Sequence, residues 1–261
     1  MKIEHTFVVL AYKKSEYLED CIKSVINQSY KSKVVLATST PNNYINEIAN
    51  KYKLDIYINK GKKGIGADFD YALNCIKSTL VTIAHQDDIY DYSYSENIVK
   101  AYFKNENCSI YFSDYYELKN NNKVYLNLNL LIKKILLQPI NLLGKFKIFR
   151  RLSLSFGCAI CCPAVTFNQK KLKMPLFDCD FVCNVDWNAW EILSRYNLGF
   201  NFISKPLMGH RVHENSTTSD IIAQNIRTKE DLVMFNKFWP NWVSSRITKF
   251  YKLSEKSNSN K

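Results

Sequence analysis

The first 113 residues alternate between two hydrophobic patterns. Short runs of apolar and β-branched residues predict buried strands, and apolar residues three and four positions apart predict amphipathic helices. The predicted strands are 6–11, 33–37, 55–58, 80–84 and 109–113, and the predicted helices are 15–28, 44–51, 65–76 and 93–104. Strands and helices that alternate at these lengths specify βαβ units, an α/β fold and a mostly parallel sheet.

The second half of the chain is less regular. Helices are predicted over 186–196 and 220–238, and strands near Asn201 and Pro206. The polar tail, 254–261, is expected to fray. These changes of pattern divide the chain into segments 1–117, 118–177, 178–253 and 254–261.

The positive charge is concentrated in one of these segments. The chain carries 36 Lys and Arg against 24 Asp and Glu, a net charge of +12, yet 118–177 contains no acidic residue. Its eleven basic residues are Lys119, Lys123, Lys133, Lys134, Lys145, Lys147, Arg150, Arg151, Lys170, Lys171 and Lys173. Such a block favours a local anionic partner, either a phosphate or a membrane surface. It lacks a nucleic-acid module and is interleaved with Leu and Ile rather than aromatics, so no nucleic-acid partner is expected.

Two interpretations of the basic segment stay open. Its lysines could simply solvate an insertion. Alternatively, its apolar and basic residues form an interfacial amphipathic helix or pair of helices, broken at Pro139, that contacts an anionic membrane. The apolar residues concerned are Leu130, Leu131, Ile135, Leu136, Ile140, Leu142 and Leu143.

No signal peptide or membrane-spanning stretch is apparent, so a reducing, cytoplasmic location with free thiols is expected. Cys158, Cys161, Cys179 and Cys183 have roughly the spacing of a zinc site. Buried thiols are the preferred interpretation, because the first pair lies in an apolar run and the region lacks glycine-rich knuckles.

Three polar groups could carry chemistry. Asp87 and Asp88 follow the fourth predicted strand, and adjacent carboxylates there need a counter-charge such as a divalent cation. The alternative is a solvated turn or a helix cap. Asp186 begins a predicted helix, where a general base and a simple dipole contact are both plausible. Arg211 and His213 alternate in a strand and suit a phosphate or a metal, unless they belong to an exposed polar loop.

Together these motifs resemble an inverting family 2 glycosyltransferase of the GT-A fold, of the kind that builds bacterial surface polysaccharides. The resemblance covers roughly 2–218. It rests on Phe7-Val8-Val9-Leu10-Ala11-Tyr12, Leu18-x-x-Cys21-Ile22-x-Ser24-Val25-x-x-Gln28, Gly64-Ile65-Gly66-Ala67, His85-Gln86-Asp87-Asp88, Asp186-x-x-x-Trp190 and Arg211-Val212-His213-Glu214-Asn215-Ser216. It implies a Rossmann-like, mostly parallel central sheet flanked by helices, with a basic, partly helical insertion and a C-terminal helix.

The resemblance also implies roles. Asp186 would be the catalytic base, and Asp87, Asp88 and His213 would hold Mn²⁺ or Mg²⁺. Segment 1–117 would bind a nucleoside-diphosphate sugar with UDP or dTDP, and 118–253 would face a glycan or polyprenyl-diphosphate-linked acceptor at the inner membrane face. The residues expected to contact the donor are Ala11, Tyr12, Thr38, Asp70, Gln86, Asp87, Arg211 and His213.

The chain departs from the family pattern at three places. His85 replaces the first acid of the Asp-x-Asp motif, 36–40 contains no carboxylate, and Phe69-Asp70 stands where Arg-Asn is common. Asp68 or Asp70 could compensate. These departures motivate an alternative function, a catalytically silent relative that binds a sugar nucleotide or a partner enzyme.

Overall fold

A computed structural model describes residues 3–212 and 221–259. The strands are β1 (His5–Leu10), β2 (Lys33–Thr38), β3 (Ile56–Ile58), β4 (Leu80–His85), β5 (Ile89–Tyr90), β6 (Cys108–Lys119), β7 (Asn122–Val124), β8 (Val165–Asn168) and β9 (Gly199–Val212). The helices are α1 (Leu18–Ile26), α2 (Asn43–Tyr52), α3 (Ile65–Asn74), α4 (Tyr94–Lys104), α5 (Leu128–Leu143), α6 (Lys147–Leu154), α7 (Val185–Ser194), α8 (Ile221–Asn236) and α9 (Asn241–Ser259).

The strands form one mixed sheet in the order β3-β2-β1-β4-β8-β6-β9-β5, with β7 paired to β6. The first four of these are parallel neighbours, as the alternating pattern predicts. Strand β8 inserts antiparallel between β4 and β6, and β9 runs parallel to β6. Because β2 and β4 lie on opposite sides of β1, the strand order reverses there. Such a switch point places a ligand site at the carboxyl ends of β1, β2 and β4.

Side chains of the central strands alternate between two cores. Phe7 and Val9 pack with α1, α2 and α4, whereas Val8 packs with α3, α6 and α7. This alternation is the period of two that a strand buried on both faces requires. Both faces of the sheet are therefore covered, and the α/β class expected from the sequence is confirmed.

The C-terminal half differs from the expectation in two elements. Strand β9 is one long strand through the two regions predicted near Asn201 and Pro206. Its register against β6 shifts so that Ser113 pairs with Ile203 and Asp114 with Pro206, and a proline is tolerated at such a bulge. Helix α9 continues through Ser259, so the tail expected to fray from 254 is helical up to that residue.

The acid-free segment, 118–177, is built into the body of the protein. It supplies β8, a strand inside the sheet, as well as α5 and α6. The predicted break at Pro139 is wrong, because α5 passes through it. Pro139 lies on the side of α5 that faces away from the core residues Leu130 and Leu137, so water can reach the carbonyl whose hydrogen bond is lost.

Candidate functional site

A cleft of about 550 Å³ opens at the carboxyl ends of β1, β2 and β4. Its wall also includes the loop before α3 and the first turn of that helix. The lining residues are Leu10, Ala11, Tyr12, Ala37, Thr38, Ser39, Thr40, Lys63, Gly64, Ile65, Asp68, Phe69, His85, Gln86 and Asp87. Five of the residues predicted to contact the donor therefore meet in one place: Ala11, Tyr12, Thr38, Gln86 and Asp87.

Gln86 fixes the rim of this cleft. Its Oε1 accepts a hydrogen bond from the Tyr12 amide at 2.9 Å, and its Nε2 donates to the Tyr12 carbonyl at 3.2 Å. On the neighbouring strand, Thr38 Oγ1 accepts from the Thr40 amide at 3.0 Å. These side-chain bonds replace the backbone pairing that the strands lose at their ends, so the loops keep a defined shape.

Asp87 sits at the inner end of the cleft, where α1 and β9 approach β4. Ser15 Oγ donates to its Oδ1 at 2.7 Å. Arg211 Nε donates to its backbone carbonyl at 3.0 Å, and the guanidinium stacks 4.3 Å from the centre of the Tyr17 ring. The structure thus brings Arg211 and Asp87 together, with the guanidinium bound to the Asp87 backbone and to Asn121 Oδ1 at 2.9 Å.

Asp88 does not join Asp87 in the cleft, which corrects its predicted role as a metal ligand. The carboxylate is buried, and its Oδ1 accepts from His210 Nδ1 at 3.0 Å and from the Arg211 amide at 2.9 Å. Burial favours the neutral acid, but His210, His85 and the Arg211 amide together outweigh it and lower the pKa of Asp88. Asp88 directly precedes β5, and these two bonds tie it to β9 instead.

Asp70 also departs from its predicted role as a donor contact, because its side chain does not reach the cleft. Its carboxylate accepts from the amides of Leu176 at 2.8 Å and Phe177 at 3.1 Å, and burial raises its pKa. Asp68, two residues earlier, lines the cleft, where it accepts from Ser39 Oγ and Asn59 Nδ2 at 2.8 Å each. Of the two acids that could compensate for the carboxylate-free 36–40, Asp68 is in position.

Asp186 lies in the first turn of α7, behind the wall that α3 gives to the cleft. A Cβ on Gly66 would come within 2.3 Å of the Phe177 carbonyl and 3.3 Å of Val185 Cγ1, so α3 and the start of α7 touch. Burial raises the pKa of Asp186, although the side chain keeps partial solvent access. Its Oδ1 accepts from the Trp187 amide at 2.7 Å, and the Cys158 thiol lies 3.7 Å from its Oδ2.

His85 and Phe69, two of the departures from the family pattern, contact each other. Their rings stack with centroids 5.3 Å apart, and both line the cleft. Burial lowers the pKa of His85, so the imidazole is neutral at pH 7. The two departures therefore form one uncharged aromatic patch beside Asp87.

Within 3–212 and 221–259, no three His, Cys, Asp or Glu side chains converge on one point. The cleft nevertheless fits a metal that arrives with a diphosphate, because such ions take one or two protein carboxylates and complete their shell with phosphate oxygens and water. Asp87 is the carboxylate so placed. His213, the other predicted ligand, lies outside the described residues.

Several lining residues were not predicted from the sequence. Ser39, Thr40 and Lys63 were not assigned a role, and neither was Ser15 beside Asp87. A signal for Lys63 was present, since it belongs to a basic loop flanked by Gly61 and Gly64. Backbone amides and a lysine in such a loop are typical of phosphate-binding turns.

Among the described residues, no helix is both long and apolar enough to cross a membrane.

Comparisons with known proteins identify the architecture. S. aureus TarS in complex with UDP-GlcNAc superposes with a TM-score of 0.61 at 11% identity, over 94% of this chain and 70% of that one. A mannosyltransferase from Pyrobaculum calidifontis, in complex with GDP-Man and Mn²⁺, gives 0.60 at 14% identity, over 91% and 64%. Glucosyl-3-phosphoglycerate synthase from Mycobacterium tuberculosis, in complex with Mn²⁺ and UDP-Glc, gives 0.56 at 11% identity, over 90% and 79%.

These similarities show a shared GT-A fold. No curated protein sequence matches the chain. The family model described as Glycosyl transferase family 2 matches residues 6–172, which is more than half of the protein. The chain therefore belongs to glycosyl transferase family 2.

Proposed function

We propose that the protein transfers a sugar from a nucleoside-diphosphate sugar to a glycan or polyprenyl-diphosphate-linked acceptor, with inversion, in surface polysaccharide synthesis. The observation that carries the proposal is the cleft at the switch point of the sheet, with Asp87 at its inner end. Asp186 lies in the first turn of α7, and the start of that helix touches the α3 wall of the cleft. A single displacement at an anomeric carbon requires a base for the acceptor hydroxyl and stabilisation of the leaving group.

The cleft suits a nucleotide in size and lining. Its volume of about 550 Å³ falls within the range of small-molecule sites. Tyr12 and Thr38 offer a ring and a hydroxyl, and Asp68 offers a carboxylate for a ribose or base. UDP is the first candidate and dTDP the second, and UDP-sugars occupy two of the similar structures.

Asp87 would hold Mn²⁺ or Mg²⁺ on the donor diphosphate. When bound, the ion would offset the charge that develops on the leaving nucleoside diphosphate. Arg211 contacts the backbone of the same residue. Its Nε donates to the Asp87 carbonyl and so stabilises the turn that carries the carboxylate.

Asp186 would take the proton of the acceptor hydroxyl. A raised pKa makes a carboxylate a stronger base, and burial produces such a shift here. The amide of Trp187 and the thiol of Cys158 fix its orientation. One in-line attack on the donor would invert the anomeric centre, with no covalent intermediate on the protein.

A membrane contact through α5 is part of the proposal. Five large apolar side chains recur three, four and seven residues apart on the outward face of α5. These exposed residues, here called the α5 stripe, are Leu128, Leu131, Ile132, Ile135 and Leu142. Exposed Lys145 and Lys147 follow the helix. An apolar stripe beside lysines is typical of a helix that lies in the interface of an anionic membrane. There it would bring the enzyme to a lipid-linked acceptor at the inner face.

A screen of nucleotide sugars tests the donor assignment. UDP-, dTDP- and GDP-sugars are added with and without Mn²⁺, and the melting temperature is measured. A ligand that binds the native state raises it. We expect UDP-sugars to raise it most, and more with Mn²⁺ than without.

The stacked pair of His85 and Phe69 favours a second function, a silent relative that binds the sugar nucleotide without transfer. That protein would show the same melting shift but no release of nucleotide from the donor. Turnover of the donor in the presence of metal would exclude it.

A further inference from the structure

Glu230 is a buried acid on α8 that takes no part in the proposed mechanism. Its side chain is 7% exposed, and a carboxylate withdrawn from water needs hydrogen-bond donors in its place. The backbone of one short loop provides three. Oε1 accepts from the Val182 amide at 2.7 Å, and Oε2 accepts from the amides of Cys183 at 2.8 Å and Asn184 at 2.9 Å. Hydrogen bonds to an ionised group are stronger than those between neutral groups, so Glu230 holds this loop firmly.

The loop that Glu230 holds leads directly into the helix of the proposed base. Asn184 is the residue before α7, and Asp186 is the second residue of that helix. The Asn184 side chain does not cap α7. Its Nδ2 donates instead to Asp231 Oδ1 at 2.7 Å. Two consecutive acids of α8, here called the α8 clasp, therefore fix the chain immediately before the turn that carries Asp186.

Contacts on the other side of Asp186 also join α7 to this part of the chain. The Trp187 ring packs edge-on against Phe235 of α8, with centroids 5.1 Å apart. Lys237, the residue after α8, donates through Nζ to Asn188 Oδ1. The Trp187 amide is the group that orients the Asp186 carboxylate. The backbone on both sides of the proposed base is thus attached to α8 and the residue that follows it.

This attachment matters because Asp186 is placed where a helix is least constrained. The ends of helices fray, and the amides of the first turn lack partners within the helix. A general base, however, must come within about 2.6–3.2 Å of the proton that it takes. A displacement of about 1 Å can lower a rate by about 10²-fold.

We propose that Glu230 is a positioning residue, which holds the start of α7 so that Asp186 stays within reach of the acceptor hydroxyl. The inference rests on the proposed function, because it takes Asp186 as the base. Glu230 is not among the residues that line the nucleotide cleft. Its loss should therefore lower kcat and leave the KM for the donor unchanged.

Asp70 provides a matched control. It is 8% exposed, and it also accepts hydrogen bonds from backbone amides of the segment between β8 and α7, those of Leu176 and Phe177. Those amides lie eight and nine residues before α7, whereas Glu230 holds the residues directly before it. Asp70→Asn and Glu230→Gln each remove the charge of a buried acid that binds this segment, but only the second change loosens the start of α7.

The kinetic test measures release of UDP from UDP-GlcNAc and from UDP-glucose with Mn²⁺, using the full chain below the melting temperature of every variant. We expect Glu230→Gln to lower kcat by about 10–100-fold and Asp70→Asn to leave it near the wild-type value. Combined with Asp186→Asn, Glu230→Gln should cause no further loss, because both changes act through one group. An equal loss in the two single variants, or a further loss in the double variant, would overturn the proposal.

Hydrogen exchange gives a second measurement that needs no turnover. The amides of 185–188 should exchange faster in Glu230→Gln than in Asp70→Asn, and equal exchange in the two would contradict the proposal. If Glu230→Gln does not fold, Asn184→Ala, which removes the bond to Asp231, replaces it in both measurements. Turnover at the wild-type rate in Asp186→Asn would strike the proposed function instead, whatever the exchange shows at the start of α7.

Discussion

At the scale of residues, the proposed base depends on its surroundings for its strength. Asp186 is at the start of α7, where the helix dipole would favour the ionised form, yet burial is the larger effect and raises its pKa. The Trp187 amide and the Cys158 thiol hold the carboxylate in one orientation. The result is a carboxylate that accepts a proton more readily than one in water.

Substitution of Asp186 by Asn should lower the rate of donor turnover by about 10²–10⁴-fold, the usual contribution of a general base. UDP affinity should be unchanged, because Asp186 is not in the wall of the nucleotide cleft. In the wild type, the rate should fall as pH falls through the raised pKa of Asp186, above the ordinary value of 3.8. Turnover at the wild-type rate in Asp186→Asn would remove it as the base.

Asp68 and Asp70 offer a matched pair of variants. Asp70→Ala leaves the buried amides of Leu176 and Phe177 without an acceptor, so it should cost about 1–3 kcal/mol of unfolding free energy. Asp68→Ala removes a carboxylate from the cleft and should weaken UDP binding. Denaturant unfolding and calorimetry measure the two effects, and weaker UDP binding in Asp70→Ala than in Asp68→Ala would reverse the assignment.

The pair of His210 and Asp88 makes stability depend on pH. Burial alone would lower the pKa of His210, but Asp88 outweighs burial and raises it above 6.5. The stabilisation is therefore complete below pH 6.5 and is lost as pH rises through the raised value. The wild type should melt above His210→Gln at pH 6, and the difference should shrink by pH 9. A difference that grows with pH would contradict the assignment.

At this scale the sequence predicted which residue types lie at the site, but not the directions in which their side chains point. Ala11, Tyr12, Thr38, Gln86 and Asp87 line the cleft, because each lies at or just after a strand end that the pattern located. The directions of Asp88 and Asp70 depend on partners that lie far away along the chain: His210 for Asp88, and the amides of Leu176 and Phe177 for Asp70. No local pattern contains that information.

At the scale of elements, α5 places its buried and its exposed apolar side chains on opposite faces, although they are interspersed along the sequence. Leu130, Leu137 and Ile140 face the core, whereas the α5 stripe faces outward, with Leu128 72% and Leu142 75% exposed. A helix that is apolar on both sides is unusual on a protein surface unless something covers the outer side.

The α5 stripe should contribute more to membrane binding than the lysines. We expect Leu131→Gln, Ile132→Gln and Ile135→Gln together to abolish flotation with vesicles of phosphatidylcholine and phosphatidylglycerol. The control, Lys145→Gln with Lys147→Gln, should weaken binding by about 1 kcal/mol per residue. Undiminished flotation of the triple variant would exclude the stripe as the contact.

Helix α5 shows why the sequence pattern wrongly predicted a break at Pro139. Proline breaks a helix reliably only where the hydrogen bond that it removes is buried. Pro139 lies on the outward side of α5, where water replaces that bond. The bulge in β9 that accommodates Pro206 is equally set by its neighbour β6. Propensity predicts both prolines as interruptions, and tertiary packing overrides it.

At the scale of the whole molecule, the excess of positive charge is divided between the interior and the surface. The sequence places nearly all of the +12 in 118–177, which suggested one basic surface. In the structure, Arg150 is 1% exposed, Lys133 points inward, and Arg151 pairs with Glu191 at 2.6 Å. Lys145 and Lys147 remain at the surface. The segment therefore supplies cations both to the interior and to the surface.

The most direct measurement is a calorimetric titration of UDP, with and without Mn²⁺, into the wild type, Asp87→Asn and Asp186→Asn. The wild type and Asp186→Asn should bind UDP more tightly with Mn²⁺ than without it. Asp87→Asn should lose that metal-dependent gain, because Asp87 is the carboxylate placed to hold the ion at the cleft. An equal gain in Asp87→Asn, or no binding of UDP by the wild type, would contradict a metal-assisted donor site at the ends of β1, β2 and β4.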